Sequence, residues 1–239
     1  MIIFYTFILA FCSLSYELIL AQSLSATLGN TVVRYSTTIG FYIMALGVGV
    51  ILYNKKFNQE KCISSLLYTE QLLAIIGAFS PVIIVISNYF IRKLSTVLGF
   101  DDGLTSSPLY YMELFFDYAL IFIIGFLSGF ELPILMDIGN KYYKKLGIKV
   151  LAFDYFGSTM GAILFALYLL PQHGLFYTGI FVGILNILTS LFIYVNYRQD
   201  PNVKFSMFIT SFIILVLLLI CLIFEADLQK YIINEIYMS

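Results

Sequence analysis

Six acidic residues stand inside stretches that are otherwise hydrocarbon: Glu17, Glu70, Glu113, Asp117, Glu131 and Asp154. A carboxylate in such a setting is costly unless it faces a partner or a wet cavity, and it commonly marks a path or a site for a cation or a proton. Glu17 shares a helical stripe with Thr6 and Ser13. Glu113, Asp117 and Glu131 follow at offsets of 4 and 14 residues, which places all three near one helix face. Asp154 heads a stripe of Gly157, Ser158 and Gly161, small residues that let helices approach closely. Arg34 is the base set at the edge of an apolar stretch near these acids. The surplus of acid suits a cationic ligand or protons. Blander readings stand beside this one. Glu70 and Glu113, near the ends of their stretches, are expected to be interfacial and solvated. Arg34 is expected to neutralise Glu17 or Asp154 as a structural pair.

The elements that carry these residues follow from composition. Of 239 residues, 61% are hydrophobic and only 11% charged, too apolar for a soluble domain of this size. The apolar residues come in blocks of the roughly 20 residues that a bilayer crossing needs. Hydropathy predicts an all-α, polytopic membrane bundle of about seven helices, near 2–27, 32–53, 66–90, 109–136, 148–170, 174–196 and 205–224. Turn chemistry marks the breaks: Gly29-Asn30, Lys55-Lys56, Asp101-Asp102-Gly103, Gly139-Asn140, Pro171 to Gly174 and Asp200-Pro201. Residues 225–239 are too polar to continue the last span. Leu228, Ile232 and Ile236 give them one apolar stripe, which predicts an amphipathic tail lying along the interface.

Lysine and arginine set the expected orientation. Lys55, Lys56, Lys61, Lys141, Lys144, Lys145, Lys149, Arg198 and Lys204 fall on the side shared with the N-terminus; Arg34, Arg92, Lys93 and Lys230 fall opposite. The chain is therefore expected in a plasma (inner) membrane with a cytoplasmic N-terminus. A short internal match adds to the topology. Phe11-x-Ser13 followed by Tyr16-Glu17-Leu18 corresponds to Phe126-x-Ser128 followed by Phe130-Glu131-Leu132, with one extra residue in the first copy. Each copy leads to a Gly-Asn turn, at Asn30 and at Asn140. Three spans separate the copies, so the units would be oppositely oriented: a candidate 3+3 inverted repeat plus one span, as in many transporter folds.

Other chemistry is poorly served. Cys12, Cys62 and Cys221 are scattered, and His173 is the only histidine, which leaves no metal-ligand pattern and no Cys-His nucleophile pair. There is no P-loop, no His-Glu-x-x-His and no Gly-x-Ser-x-Gly, so no residue is assigned as catalytic. A net charge of −1 without a basic patch argues against nucleic acid. Gly125-x-x-x-Gly129, Gly157-x-x-x-Gly161 and Gly179-x-x-x-Gly183 read as helix-packing sites.

An ordered set of motifs runs along nearly the whole chain: Ser15-Tyr16-Glu17-Leu18, Leu28-Gly29-Asn30-Thr31, Ser36-x-x-Ile39-Gly40-x-Tyr42, Gly47-x-Gly49, Gly129-Phe130-Glu131-Leu132-Pro133, Asp154-Tyr155-x-Gly157-x-x-x-Gly161 and Leu169-Leu170-Pro171-x-His173-Gly174-Leu175. Together they resemble the N-terminal membrane domain of membrane-bound spermidine synthase-like proteins, polyamine aminopropyltransferases with a transmembrane half. The resemblance implies a soluble partner half that binds decarboxylated S-adenosylmethionine and transfers its aminopropyl group to a diamine. That catalytic half is expected to be absent from these 239 residues, so the chain itself is expected to hold no cofactor, and aminopropyl transfer is carried over to none of its residues. Its family motif acids are Glu17, Glu131 and Asp154. The candidate substrate-binding set is these three with Arg34, Tyr16 and Asn30. Three readings follow: a membrane subunit of an aminopropyltransferase-like system that binds or presents a cationic or lipidic substrate, a small polyamine transporter, or a non-catalytic anchor. The expected partners are the bilayer, a polyamine or lipid, and a separate soluble aminopropyltransferase.

Overall fold

In a computed structural model, which describes residues 1–56, 61–99, 108–142 and 146–225, every regular element is helical. Among the described residues seven α-helices are formed: α1 (Ile2–Leu28), α2 (Thr31–Lys56), α3 (Cys62–Val97), α4 (Pro108–Tyr142), α5 (Gly147–Leu164), α6 (Leu170–Tyr197) and α7 (Phe205–Ile223). A single π-turn, Phe165–Leu169, joins α5 to α6. The absence of strands among the described residues is what a bilayer would require of segments this apolar. Hydrocarbon offers no hydrogen bonds, so a spanning backbone must satisfy itself, and a helix does so within one segment.

Among the described residues six stretches are long and apolar enough to cross a membrane, one fewer than the seven expected, because Gly147–Tyr197 forms one 51-residue stretch. That stretch nevertheless turns back on itself. Its start, Gly147, meets Met136 and Asn140 at the end of α4. Near its other end Asn196 donates to the Tyr5 hydroxyl at 2.6 Å, and just beyond, Asp200 pairs with Lys141 at 3.4 Å. Both ends thus lie at the same end of the bundle. The reversal falls at Gly174, whose φ of 77° and ψ of −177° are non-helical and open to glycine alone at low cost. Pro171, which has no N–H to give to Leu167, accounts for the π-turn before it.

The same end collects Tyr53, which donates to Asp137 Oδ2 at 2.7 Å. The opposite end collects Thr27, Arg34, Asn88, Arg92 and Glu113. Arg92 donates to the Thr27 carbonyl at 2.6 Å and pairs with Glu113 at 3.3 Å. The helices therefore run alternately up and down.

Close approach is permitted by the small residues. A Cβ on Gly157 would collide with the Phe7 carbonyl, and one on Gly161 would stand 2.8 Å from that of Phe11; this pins α5 to α1. Gly125, Gly129 and Gly49 do the same between α2 and α4, where a Cβ on Gly49 would stand 2.5 Å from the Phe126 carbonyl. Gly179 and Gly183 meet the backbone of Ala78 and Ala74 on α3. All three glycine pairs are helix-packing sites. α3 packs against α1, α4, α6 and α7 with one face and leaves the other, with Tyr68, Leu72, Ile86 and Phe90, exposed. α7 lies outermost, with Met207, Ser211, Ile214 and Leu218 turned inward and most of its other side chains outward. The amphipathic tail expected over 225–239 lies outside the described residues beyond Glu225.

A candidate cation pocket between α1, α2, α4 and α5

Helical periodicity turns Ala10, Ser13 and Glu17 of α1 to one side, where α2, α4 and α5 close around them. The pocket has a volume of about 190 Å³. Glu17, Glu131 and Asp154 all line it, from three different helices, together with Ser13, Tyr42 and Ser128. Glu17 and Glu131 are 6% and 5% exposed, and Asp154 is half-buried. No lysine or arginine lines the pocket. Among the described residues no base pairs with any of the three acids. Nor do those residues include a group of three or more His, Cys, Asp or Glu placed to hold a metal ion, so the carboxylates surround a volume rather than converge on a point.

A hydrogen-bonded bridge holds the pocket wall. The Tyr42 hydroxyl lies 3.0 Å from the Ser13 carbonyl, 2.9 Å from Ser128 Oγ and 3.2 Å from Ser13 Oγ. It has one proton to give, which the Ser13 carbonyl can only accept, leaving its oxygen to accept from the serines. Ser13 and Ser128 are the serines of the two Phe-x-Ser copies, so one tyrosine joins the matched motifs. Tyr42 and Ser128 are missing from the six sequence candidates; the signal for them was the recurring serine in the repeat and the tyrosine two residues after Gly40. Pro133, one turn after Gly129, has no N–H for the Gly129 carbonyl, so a backbone acceptor in a pocket-lining residue lacks its usual helical donor.

The other candidates lie elsewhere. Arg34 is buried, but its guanidinium donates to the Tyr110 hydroxyl at 2.7 Å instead of meeting Glu17 or Asp154. It sits at the first turn of α2, some two turns from the Tyr42 level, which is why the expected pair does not form. Asn30 occupies the exposed α1–α2 turn in the left-handed region, φ 49°, and its carbonyl caps the Arg34 amide at 3.0 Å. Tyr16 is fully buried, yet its ring faces Gly77 of α3, away from the pocket.

Glu70 and Glu113 are not solvated. Glu70 is 0% exposed and Glu113 1%. α3 begins at Cys62, earlier than the expected 66, so Glu70 sits more than two turns inside the helix, on the face that packs against its neighbours while Tyr68, Leu72 and Ile75 lie on the exposed face. Glu113 is covered by the Arg92 pair. A larger cleft of about 400 Å³ opens between α1, α5 and α6, lined by Phe7, Phe11, Met160 and Leu164 among others. Its lining exposes no polar atom, so it offers a charged ligand nothing.

No family model and no solved structure matches the chain. It is 33% identical over 186 residues to the polyamine aminopropyltransferase of Leptospira interrogans serogroup Icterohaemorrhagiae serovar copenhageni, which covers 77% of this chain and 33% of that protein. It is 28% identical over 196 residues to the polyamine aminopropyltransferase of Oceanobacillus iheyensis, covering 81% and 35%. Against polyamine aminopropyltransferase 2 of Aquifex aeolicus it is 28% identical over 211 residues, covering 87% and 38%. The chain thus spans about a third of the length of these curated relatives, and over most of its own length it is homologous to polyamine aminopropyltransferases.

Proposed function

We propose that this chain is the membrane part of an aminopropyltransferase-like system and that its α1–α2–α4–α5 pocket binds an aliphatic polyamine. One observation carries the reading: three carboxylates from three helices line one pocket that no basic side chain enters. A polyamine is a string of ammonium groups separated by methylenes. Each ammonium offers charge-assisted hydrogen bonds to a carboxylate, and the methylenes suit Leu14, Leu46 and Val50 in the same lining. The relatives' printed name, polyamine aminopropyltransferase, suggests the same ligand class. Presentation of the amine to a soluble synthase domain is the role that this reading assigns. The lysine bias favours an N-terminus in the cytoplasm, and the ends of α2, α4 and α6 would then face the synthase.

Radiolabelled spermidine binding to the full chain in lipid nanodiscs tests it. Glu131→Gln should weaken binding by about tenfold, equivalent to about 1.4 kcal/mol. Binding unchanged in Glu17→Gln, Glu131→Gln and Asp154→Asn alike would overturn the reading.

A second reading, transport, has its own support. The first helix of each proposed unit packs on the second helix of the other, α1 on α5 and α4 on α2, and these are the two most extensive contacts in the molecule. The third helices, α3 and α6, pack on each other. Such pairing is what a two-fold axis through an inverted repeat requires. Labelled spermidine accumulating in proteoliposomes against an imposed proton gradient would favour transport over presentation.

A further inference from the structure

The apolar cleft between α1, α5 and α6 has no part in polyamine binding, yet at about 400 Å³ it is larger than the cation pocket. α1 lends it Phe7, Ile8 and Phe11, and α6 lends Phe181 and Leu185. Met160, Leu164 and Tyr168 line it as well and are themselves exposed, so the cleft opens on the outer surface of the bundle, along α5. No polar atom shows in the lining; Tyr168 contributes its ring and turns its hydroxyl elsewhere. Aromatic rings bound the end beside the Gly174 reversal. Tyr168 and His173 meet edge-on with ring centres 5.6 Å apart, His173 stacks on Tyr177 at 4.4 Å, and Tyr177 stacks on Phe181 at 6.3 Å. The run leaves the cleft at one lining residue and returns to it at another.

Chemistry and size narrow what the cleft can hold. Water finds no polar partner there, and a wholly apolar cavity stays dry. A void would forfeit the dispersion contacts of its lining. A further helix is too large: about 10–12 Å across with its side chains and 5.4 Å per turn, a single turn of it occupies about 500 Å³. A hydrocarbon chain is thin enough to enter. The exposed residues beside the mouth, Ile163 and Leu167, are also apolar, so the opening faces the bilayer interior that these helices are long and apolar enough to cross.

We propose that this cleft is a binding site for one acyl chain of a bilayer phospholipid, retained by the protein while the surrounding lipid exchanges freely. The chain backs the same two helices that form one side of the cation pocket. On α1, Phe7 and Phe11 face the cleft whereas Ala10, Leu14 and Glu17 face the pocket. On α5, Met160 and Leu164 face the cleft whereas Asp154 and Ser158 face the pocket. Between the two, Gly157 and Gly161 bring α5 on to the Phe7 and Phe11 carbonyls. The acyl chain therefore supports, from behind, the seam that carries two of the three pocket acids. The lipid site stands independently of what the pocket binds.

The chain contains no tryptophan, so a single introduced indole reports on its own surroundings. Phe181→Trp places one in the cleft lining, with a ring close to the original in size. Ile163→Trp, exposed and outside the lining, is its control at matched depth. Gly161 packs on the Phe11 carbonyl and the Cys12 sulfur lies 3.8 Å from the Val182 carbonyl, so positions 163 and 181 stand at nearly the same level of α1. Each full-length variant, purified with its native lipid, is mixed into vesicles of phosphatidylcholine brominated at mid-chain. The Ile163→Trp fluorescence should be quenched at once, and that of Phe181→Trp only slowly, as the retained chain exchanges. Equal and immediate quenching of both overturns the proposal. Native mass spectrometry of the wild type should find a phospholipid retained on each chain after detergent extraction, and its loss in Leu164→Trp, whose ring fills the cleft. Wild-type chains free of phospholipid, equal retention in Leu164→Trp, or a dimer that carries no phospholipid would each overturn it, the last because a second copy then covers the cleft. If Leu164→Trp does not fold, the quenching comparison decides alone.

Discussion

Tyr42 is the residue through which the two matched motifs meet, and its replacement separates packing from chemistry. Tyr42→Phe keeps the ring among its neighbours but leaves the Ser13 carbonyl and the Ser128 hydroxyl without their shared partner. The loss should be about 1–2 kcal/mol of stability, read by thermal unfolding in detergent, with weaker spermidine binding because the wall that carries Ser128 and Glu131 loses its tie to α1. Asn30→Ala should leave binding unchanged, since Asn30 is exposed at a turn and does not line the cation pocket. A binding loss there would show that the site extends to the α1–α2 turn. Glu17 and Glu131 were legible as acids in apolar sequence. Their common pocket was legible only as a suggestion of the repeat. Tyr16 shows the limit of reading adjacent positions, because neighbours on a helix point about 100° apart and the residue beside Glu17 faces α3.

At the scale of helices, contact between backbones decides the packing. Gly157→Leu places a side chain where the Phe7 carbonyl stands and should separate α1 from α5, costing about 1–3 kcal/mol or preventing assembly. Gly40→Leu, where nothing lies within 4 Å, should be tolerated. Unfolding in mixed micelles checks both, and equal effects would refute the packing argument. Gly174→Ala forces a side chain onto φ 77°, a strain of about 1–3 kcal/mol. It should lower stability even though the space around Gly174 is open. The small-xxx-small spacing announced these contacts in advance, because only a missing side chain allows a carbonyl so near.

For the molecule as a whole, the lysine bias predicts opposite accessibility for its two ends. Cysteines engineered at Lys149 and Val97, both exposed, should react with impermeant maleimide from opposite faces, Val97→Cys in intact cells and Lys149→Cys only after permeabilisation. Labelling of both from outside would refute the orientation. The native cysteines should interfere little: Cys12 and Cys62 are buried and Cys221 is half-buried on the outer helix. The up-down course of the helices, with Tyr5, Tyr53, Lys141 and Asn196 at one end and Thr27, Arg34, Arg92 and Glu113 at the other, is what makes this two-site test sufficient.

Sequence alone determined the class of this protein and where its helices reverse. Hydrocarbon admits few backbone solutions, so long apolar runs must be helices and polar or glycine-rich breaks must be turns. It also singled out the acids, since each stands against a strong composition bias. The tertiary structure decided which acids meet. Glu17, Glu131 and Asp154 share a pocket because α1, α4 and α5 present those faces to one another. Glu70 is enclosed because it lies on the face of α3 that packs against the other helices. Arg34 finds Tyr110 because the first turn of α2 lies beside the first turn of α4. Hydropathy measures distance from water along the chain, and it carries no information about the rotation of one helix against another, which is set by glycine contacts between helices far apart in sequence.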